Sequence, residues 1–269
     1  MTEFADIEWR GRPVRIEYEC IAPERTSAPL LVFLHEGLGS VAMWKDFPQR
    51  LCDAGGFRGL VFSRPAYGRS SPRPEDERWG VDFMHRQAHE VLPAFFEAVG
   101  VEQGADAPWL VGHSDGGSIS LLYASRFPER VAGLVLMAPH VFVEDVTIRG
   151  IEQAREAYLA TDMPQRLSRY HDNVDSAFWG WNRIWLDPAF RAWNIESELP
   201  SVRCPVLAIQ GVGDEYGTLA QIRAIASGAV RAKTVQLAEL PECGHSPHRD
   251  QPETVIVTTF SFVQHWSSQ

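Results

Sequence analysis

The segment "VGHSDGGS" (111–118) sets Ser114 between Gly112 and Gly116, after an apolar run and before a second run with helical character. A serine hydroxyl is a poor nucleophile at neutral pH until a base takes its proton. Glycines on both sides suit a serine held on a tight strand-to-helix turn. That spacing alone is weak, because glycine and serine also gather in turns for conformational reasons. A base is expected near the carboxyl end, and "PECGHSPHRDQPE" (241–253) supplies His245 in a glycine-flanked loop. His248 competes for the role, but it lies closer to the following helix and lacks a preceding glycine. The chemistry also needs a carboxylate that fixes the imidazole tautomer and stabilises its charged form. "VLAIQGVGDEYG" (206–217) offers Asp214 after a glycine at a strand end, and this reading is favoured over the adjacent Glu215. Charge developing on a substrate oxygen would need preorganised donors. The amide of Asp115 and that of Gly37, in "FLHEGLGS" (33–40), are the expected pair.

These residues need a scaffold that brings loops far apart in the chain to one place. Six short apolar runs recur, at 30–35, 59–63, 109–113, 131–139, 206–211 and 234–240. Near-continuous Val, Leu and Ile without polar alternation suits strands buried on both faces of a parallel sheet. Helical patterns fall between them at about 44–54, 82–99, 117–127, 218–227 and 250–266. Alternation of strand and helix predicts an α/β fold with right-handed crossovers. The opening residues, roughly 6–22, alternate in "VRIEYEC" and predict antiparallel edge strands. From Val141 to Leu199 no buried-strand run appears, and the interval is too long for a simple loop. We expect a helical cap over 141–199, inserted after the sixth strand of a core domain made of 1–140 and 200–269.

The chain has 269 residues, 45% of them hydrophobic and 22% charged, as in an ordinary soluble domain with a substantial core. Its net charge of -10 disfavours a nucleic-acid partner. No apolar stretch is long enough to span a bilayer, and "MTEFADIEWRGR" does not read as a secretory signal. The four cysteines are dispersed and form no Cys-x-x-Cys pair, which argues against a zinc site or disulfide framework. The expectation is a cytoplasmic monomer or homodimer that does not engage a membrane.

Taken in order, "HEGLGS", "SRPAYGRSS", "GHSDGGS", "GVGDEYG" and "GHSPH" resemble the α/β-hydrolase superfamily over nearly the whole chain. The resemblance implies a mostly parallel sheet flanked by helices and a Ser114–Asp214–His245 triad. Within the superfamily, "GHSDGGS", "APHVFVEDVTI" and "VRCPVLAIQG" look most like the valacyclovir hydrolase branch, which cleaves amino-acid esters. One residue departs from the pattern: Glu36 stands where the oxyanion loop usually carries glycine, and so brings a carboxylate beside the site. Dehalogenases and epoxide hydrolases usually place aspartate at the nucleophile position, so Ser114 counts against both.

The expected activity is hydrolysis of a small carboxylic ester through an acyl-enzyme, with no cofactor and no metal. Thioester hydrolysis is an alternative. So is carbon–carbon hydrolysis of aromatic ring-cleavage products, which would call for arginines in the pocket. Arg64, Arg155, Arg183 and Arg191 are the candidates. A receptor that has lost turnover is the remaining alternative. In "AFWGWNRIWLDPAFRAWN" (177–194), Phe178, Trp181 and Trp185 form one helical stripe. That stripe packs the cap onto the core, lines a pocket above Ser114, or does both. We assign Trp181, Trp185 and Glu36 to substrate binding. Asp115 carries a side-chain charge that the oxyanion does not welcome, so either a neighbouring arginine or a substrate cation should pair with it. The valacyclovir hydrolase resemblance implies the cation.

Overall fold

The computed structural model describes residues 2–101 and 107–268. Eight strands form one sheet, and the order of its strands explains where the site can be. Strands β1 (Glu3–Trp9) and β2 (Arg12–Ile21) are an antiparallel hairpin. Arg10 and Gly11 turn it with φ of 55° and 72°, the positive pair that a two-residue hairpin turn needs. The other strands are β3 (Leu30–Leu34), β4 (Arg58–Phe62), β5 (Trp109–His113), β6 (Gly133–Met137), β7 (Val206–Gly211) and β8 (Val235–Leu240). The sheet order is β1-β2-β4-β3-β5-β6-β7-β8, with β3 to β8 parallel and β2 antiparallel to β4. Each expected strand is present within about two residues of its predicted limits, and the alternating opening segment supplies the edge hairpin.

Helices cover both faces. On one lie α1 (Phe47–Gly55), α9 (Pro247–Asp250) and α10 (Pro252–Ser267). On the other lie α2 (Phe83–Arg86), α3 (Leu92–Val99), α4 (Asp115–Arg126) and α8 (Ala220–Gly228). Because side chains alternate along a strand, Leu31 and Phe33 join the core with Leu51 and Val263, while Val32 and Leu34 join the core with Phe95 and Leu122. Strands β5, β6 and β7 are buried at every residue, as two covered faces require.

Between β6 and β7 the chain forms α5 (Asp145–Ala160), α6 (Met163–Leu167) and α7 (Val174–Trp185), followed by two short 3₁₀ turns. Asn173 caps α7 by accepting the Ser176 N–H at 2.8 Å. Phe178, Trp181 and Trp185 are all buried, and Phe178 stacks on Tyr158 of α5 with ring centroids 3.7 Å apart. The stripe therefore packs the insertion together, and Trp181 and Trp185 also reach the ends of the central strands. Among the described residues, no helix is long and apolar enough to cross a membrane.

Helix α4 approaches β3 so closely that a Cβ at Gly116 would run into the Leu34 carbonyl. Gly116→Ala should therefore destabilise the fold by about 1–3 kcal/mol through overpacking. Urea unfolding should show a lower midpoint with an unchanged slope.

Candidate active site

Ser114 follows the last residue of β5 and precedes α4. Its backbone sits at φ 53° and ψ -118°, a conformation that side-chain-bearing residues rarely hold. The Ser114 N–H is anchored by the Met137 carbonyl of the neighbouring strand at 2.8 Å. A side chain at 112 would strike the Gly116 backbone, so the glycines expected at this turn are sterically required. The Asp115 N–H opens α4, where first-turn amides have no acceptor within the helix.

His245 arrives on the loop after β8, with its Nε2 2.9 Å from Ser114 Oγ. Its Nδ1 lies 2.8 Å from Asp214 Oδ1. The same carboxylate oxygen accepts the amides of Tyr216 at 2.8 Å and Gly217 at 3.1 Å, while Oδ2 accepts Gln210 Nε2 at 3.1 Å. Burial alone would raise the Asp214 pKa. The bond to His245, that ring's charge and the Tyr216 amide outweigh it and hold Asp214 below the ordinary carboxylate range. An ionised Asp214 can only accept, so His245 Nδ1 carries the proton and Nε2 presents its lone pair to the Ser114 hydroxyl.

The two competitors have other positions. Glu215 Oε2 accepts the His245 backbone N–H at 3.1 Å, so it holds the loop and leaves the ring to Asp214. His248 is buried between Trp44 and Phe47, with neither ring nitrogen bonded among the described residues.

The loop after β3 is organised around one carbonyl. His35 Nε2 accepts the Arg64 N–H at 2.9 Å, so Nδ1 is the protonated nitrogen and donates to the Glu36 carbonyl at 2.7 Å. Arg64 Nη2 at 2.9 Å and the Gly39 amide at 3.1 Å donate to the same oxygen. In a trans peptide the C=O and the following N–H point in opposite directions. Fixing the Glu36 carbonyl therefore turns the Gly37 amide the other way. Trp181 lies against Gly37 so tightly that a Cβ there would meet the indole ring.

The acidic side chains near Ser114 are already paired. The Glu36 carboxylate lies 3.2 Å from Arg249 Nη2 and 3.4 Å from His113 Nδ1. Burial opposes its ionisation, yet His113 and Arg249 hold its pKa well below the ordinary value. His113 Nε2 in turn donates to the His245 carbonyl at 2.7 Å, so Glu36 and His113 connect the two loops. Asp115 accepts Trp185 Nε1 at 3.2 Å and lies 3.6 Å from Arg64 Nη2, with both charged side chains 1% exposed. Of the two partners expected for Asp115, the fold supplies the arginine. Burial raises the Asp115 pKa, partly offset by Arg64.

Arg155 is exposed, Arg183 covers the Trp179 ring at 5.2 Å, and Arg191 pairs with Asp145. Sequence reasoning did not single out His113, Gln210, Arg249 or His140. The first stands beside Ser114 in the quoted motif, but nothing local in the sequence shows that its ring reaches the His245 carbonyl.

Residues 29–160 match a family model described as the alpha/beta hydrolase fold. The chain is 27% identical over 253 residues to the putative carbamate hydrolase RutD of Variovorax paradoxus (strain S110), covering 86% of this chain and 89% of that protein. It is 22% identical over 260 residues to the 2-hydroxy-6-oxo-6-phenylhexa-2,4-dienoate hydrolase of Burkholderia cepacia, covering 87% of each. The crystal structure of the enol-lactonase from Burkholderia xenovorans LB400 superposes with a TM-score of 0.72 at 20% identity, covering 97% of this chain and 100% of that one. The chain has the alpha/beta hydrolase fold, and both of these sequence relatives are named as hydrolases.

The Glu36 pairing has a pH signature. A carboxylate whose pKa is depressed on folding stabilises the protein above its unfolded value, here near 4.5, and loses that contribution as pH falls. Glu36→Gln should therefore be less stable than wild type at neutrality. The gap should narrow when urea unfolding is repeated on acidification below the unfolded value.

Proposed function

We propose that the protein is a serine hydrolase of small carboxylic esters that works through an acyl-enzyme. The observation that carries this reading is the continuous chain from Asp214 through His245 to Ser114 Oγ, at 2.8 and 2.9 Å, with the serine on its strained turn. Ser114 Oγ attacks the acyl carbon as its proton passes to His245 Nε2. The amides of Gly37 and Asp115 hold the oxyanion. Collapse of the tetrahedral adduct breaks the ester bond, and His245 returns the proton to the departing alcohol. Water then enters, gives its proton to His245, and attacks the acyl-serine to release the acid. Asp214 stays ionised throughout. This cycle balances with side chains and water alone and calls on no metal or cofactor.

Residues 141–199 act as the cap over a core of 1–140 and 200–269. Trp181, against Gly37, and Trp185, against Asp115, form the wall a substrate meets. Glu36 contributes by holding the oxyanion loop to His113 and Arg249, so we assign its carboxylate to that loop rather than to substrate.

Charge separates this reading from its rivals. A dianionic ring-cleavage product needs free guanidinium groups near the nucleophile. The Arg64 charge is paired with Asp115 and its Nη2 is bonded to the Glu36 carbonyl, while Arg183 and Arg191 are engaged elsewhere with Trp179 and Asp145. The amino-acid-ester specificity of the valacyclovir hydrolase branch needs a carboxylate at position 115 free to receive an ammonium. Arg64, at 3.6 Å, already neutralises the Asp115 charge, and Trp185 Nε1 bonds its Oδ1.

A fluorophosphonate probe should label wild type at Ser114, and Ser114→Ala should lower ester kcat by about a thousandfold or more without loss of fold. Retention of more than a few per cent of activity would move the nucleophile elsewhere.

Asp214→Asn should cost far more than Glu215→Gln, because an amide at 214 can stabilise the wrong His245 tautomer. A glutamine at 215 can still accept the His245 backbone N–H. Equal losses in kcat/KM would reassign the acid.

A further inference from the structure

His140 stands where the chain leaves β6 for the insertion, and its backbone is fixed twice by one hydroxyl. Its N–H donates to Ser118 Oγ at 3.0 Å, and its carbonyl accepts from the same group at 2.6 Å. Ser118 sits one turn beyond Ser114 on α4, so the residue is tied rigidly to the nucleophile's own helix. The imidazole lies between Trp185, with ring centroids 5.1 Å apart, and His245, at 5.8 Å. The side chain is 2% exposed, and Nδ1 has no hydrogen-bond partner among the described residues.

A buried polar atom left unbonded costs about 1–3 kcal/mol, so its partner is worth seeking. Burial, reinforced by the neighbouring His245, lowers the His140 pKa to about 3. The ring is therefore neutral at working pH, with one nitrogen donating and the other accepting. The charges around the triad are neutralised in pairs, Asp115 with Arg64 at 3.6 Å and Glu36 with Arg249 at 3.2 Å, although Asp115 Oδ2 and Arg64 Nε and Nη1 carry no hydrogen bond of their own among the described residues. No free charge of either sign faces the nucleophile among these groups.

Resting on the serine-hydrolase reading, we propose that His140 is the specificity-determining residue, and that it selects esters bearing an uncharged hydrogen-bonding substituent, such as a hydroxyl, beside the scissile bond. An ammonium would find Asp115 and Glu36 already neutralised, and a carboxylate would find the Arg64 charge already paired with Asp115. A hydroxyl can donate to one imidazole nitrogen or accept from the other, and it needs no counter-ion. The substituent could sit on the acid or on the alcohol, and the test separates the two.

The acid side is read with methyl phenylacetate, methyl mandelate and methyl phenylglycinate, which differ by hydrogen, hydroxyl and ammonium. The alcohol side is read with ethyl and hydroxyethyl phenylacetate. Wild type should favour the hydroxyl ester over its parent on one side by about tenfold in kcat/KM. In His140→Phe that ratio should fall to about one. His140→Gln keeps a donor and an acceptor and should retain part of it. The idea is overturned if wild type shows no hydroxyl preference on either side, if the ammonium ester is preferred, or if His140→Phe keeps the ratio. A purely structural role, with Nδ1 reaching the equally unpartnered Gln210 Oε1 through water, would lower all turnovers together and also keep the ratio. Fluorophosphonate labelling of wild-type Ser114 reads the underlying chemistry separately. Labelling without a hydroxyl preference removes only the role of His140, whereas absent labelling removes the serine-hydrolase reading itself.

Discussion

The backbone of Ser114 is held at φ 53°, where a side chain crowds its own peptide, and the neighbouring structure exists to keep it there. Such a conformation costs about 1–3 kcal/mol and persists only when its surroundings over-determine it. Here β5 and β6 clamp the turn through the Ser114 amide and the Met137 carbonyl, and α4 is pressed onto the end of β3 at Gly116. The central strands that carry these contacts are also the most buried in the protein. The stable centre of the sheet therefore supports the strain, while the loops at the strand ends supply His245 and Asp214.

A second constraint is electrostatic. Four charged or ionisable groups, Arg64, Asp115, Glu36 and His113, lie within a short distance of the serine, and burial makes each of them costly if left alone. The fold resolves this by pairing them with each other and with Arg249, so that the charges serve to hold loops. Glu36, the residue that departs from the usual glycine, illustrates the effect. Its carbonyl orients the loop after β3, and its carboxylate connects that loop to the His245 loop. Trp181 against Gly37, Trp185 against Asp115 and His140 against His245 add neutral side chains to the same region.

Much of this was legible in the chain itself. The apolar runs and their breaks follow from burial of parallel strands on both faces, and each appears close to its expected limits. That Ser114, Asp214 and His245 could meet was legible because each lies just past a strand's carboxyl end in a glycine-containing turn, which local patterning reveals. The choice of Asp214 over Glu215 was also local: the residue nearest the glycine turn folds back to accept the Tyr216 and Gly217 amides.

The partners of the charges were not legible, and the physical reason is distance along the chain. Arg64 and Asp115 belong to different strand ends, as do Glu36 and Arg249, and no periodicity or spacing links such pairs. The sequence permitted two fates for the Asp115 carboxylate, and only the sheet order, with β4 and β5 on either side of β3, put a guanidinium next to it. His140 is a further case: one histidine of nine, it gains meaning only when the insertion lays Trp185 against it. Sequence alone determined the sheet, the long segment between β6 and β7 and the strand ends on which Ser114, Asp214 and His245 stand, because these depend on local burial and turn geometry. Tertiary structure decided which charges neutralise each other, because pairing across the sheet depends on residues meeting that the chain keeps far apart.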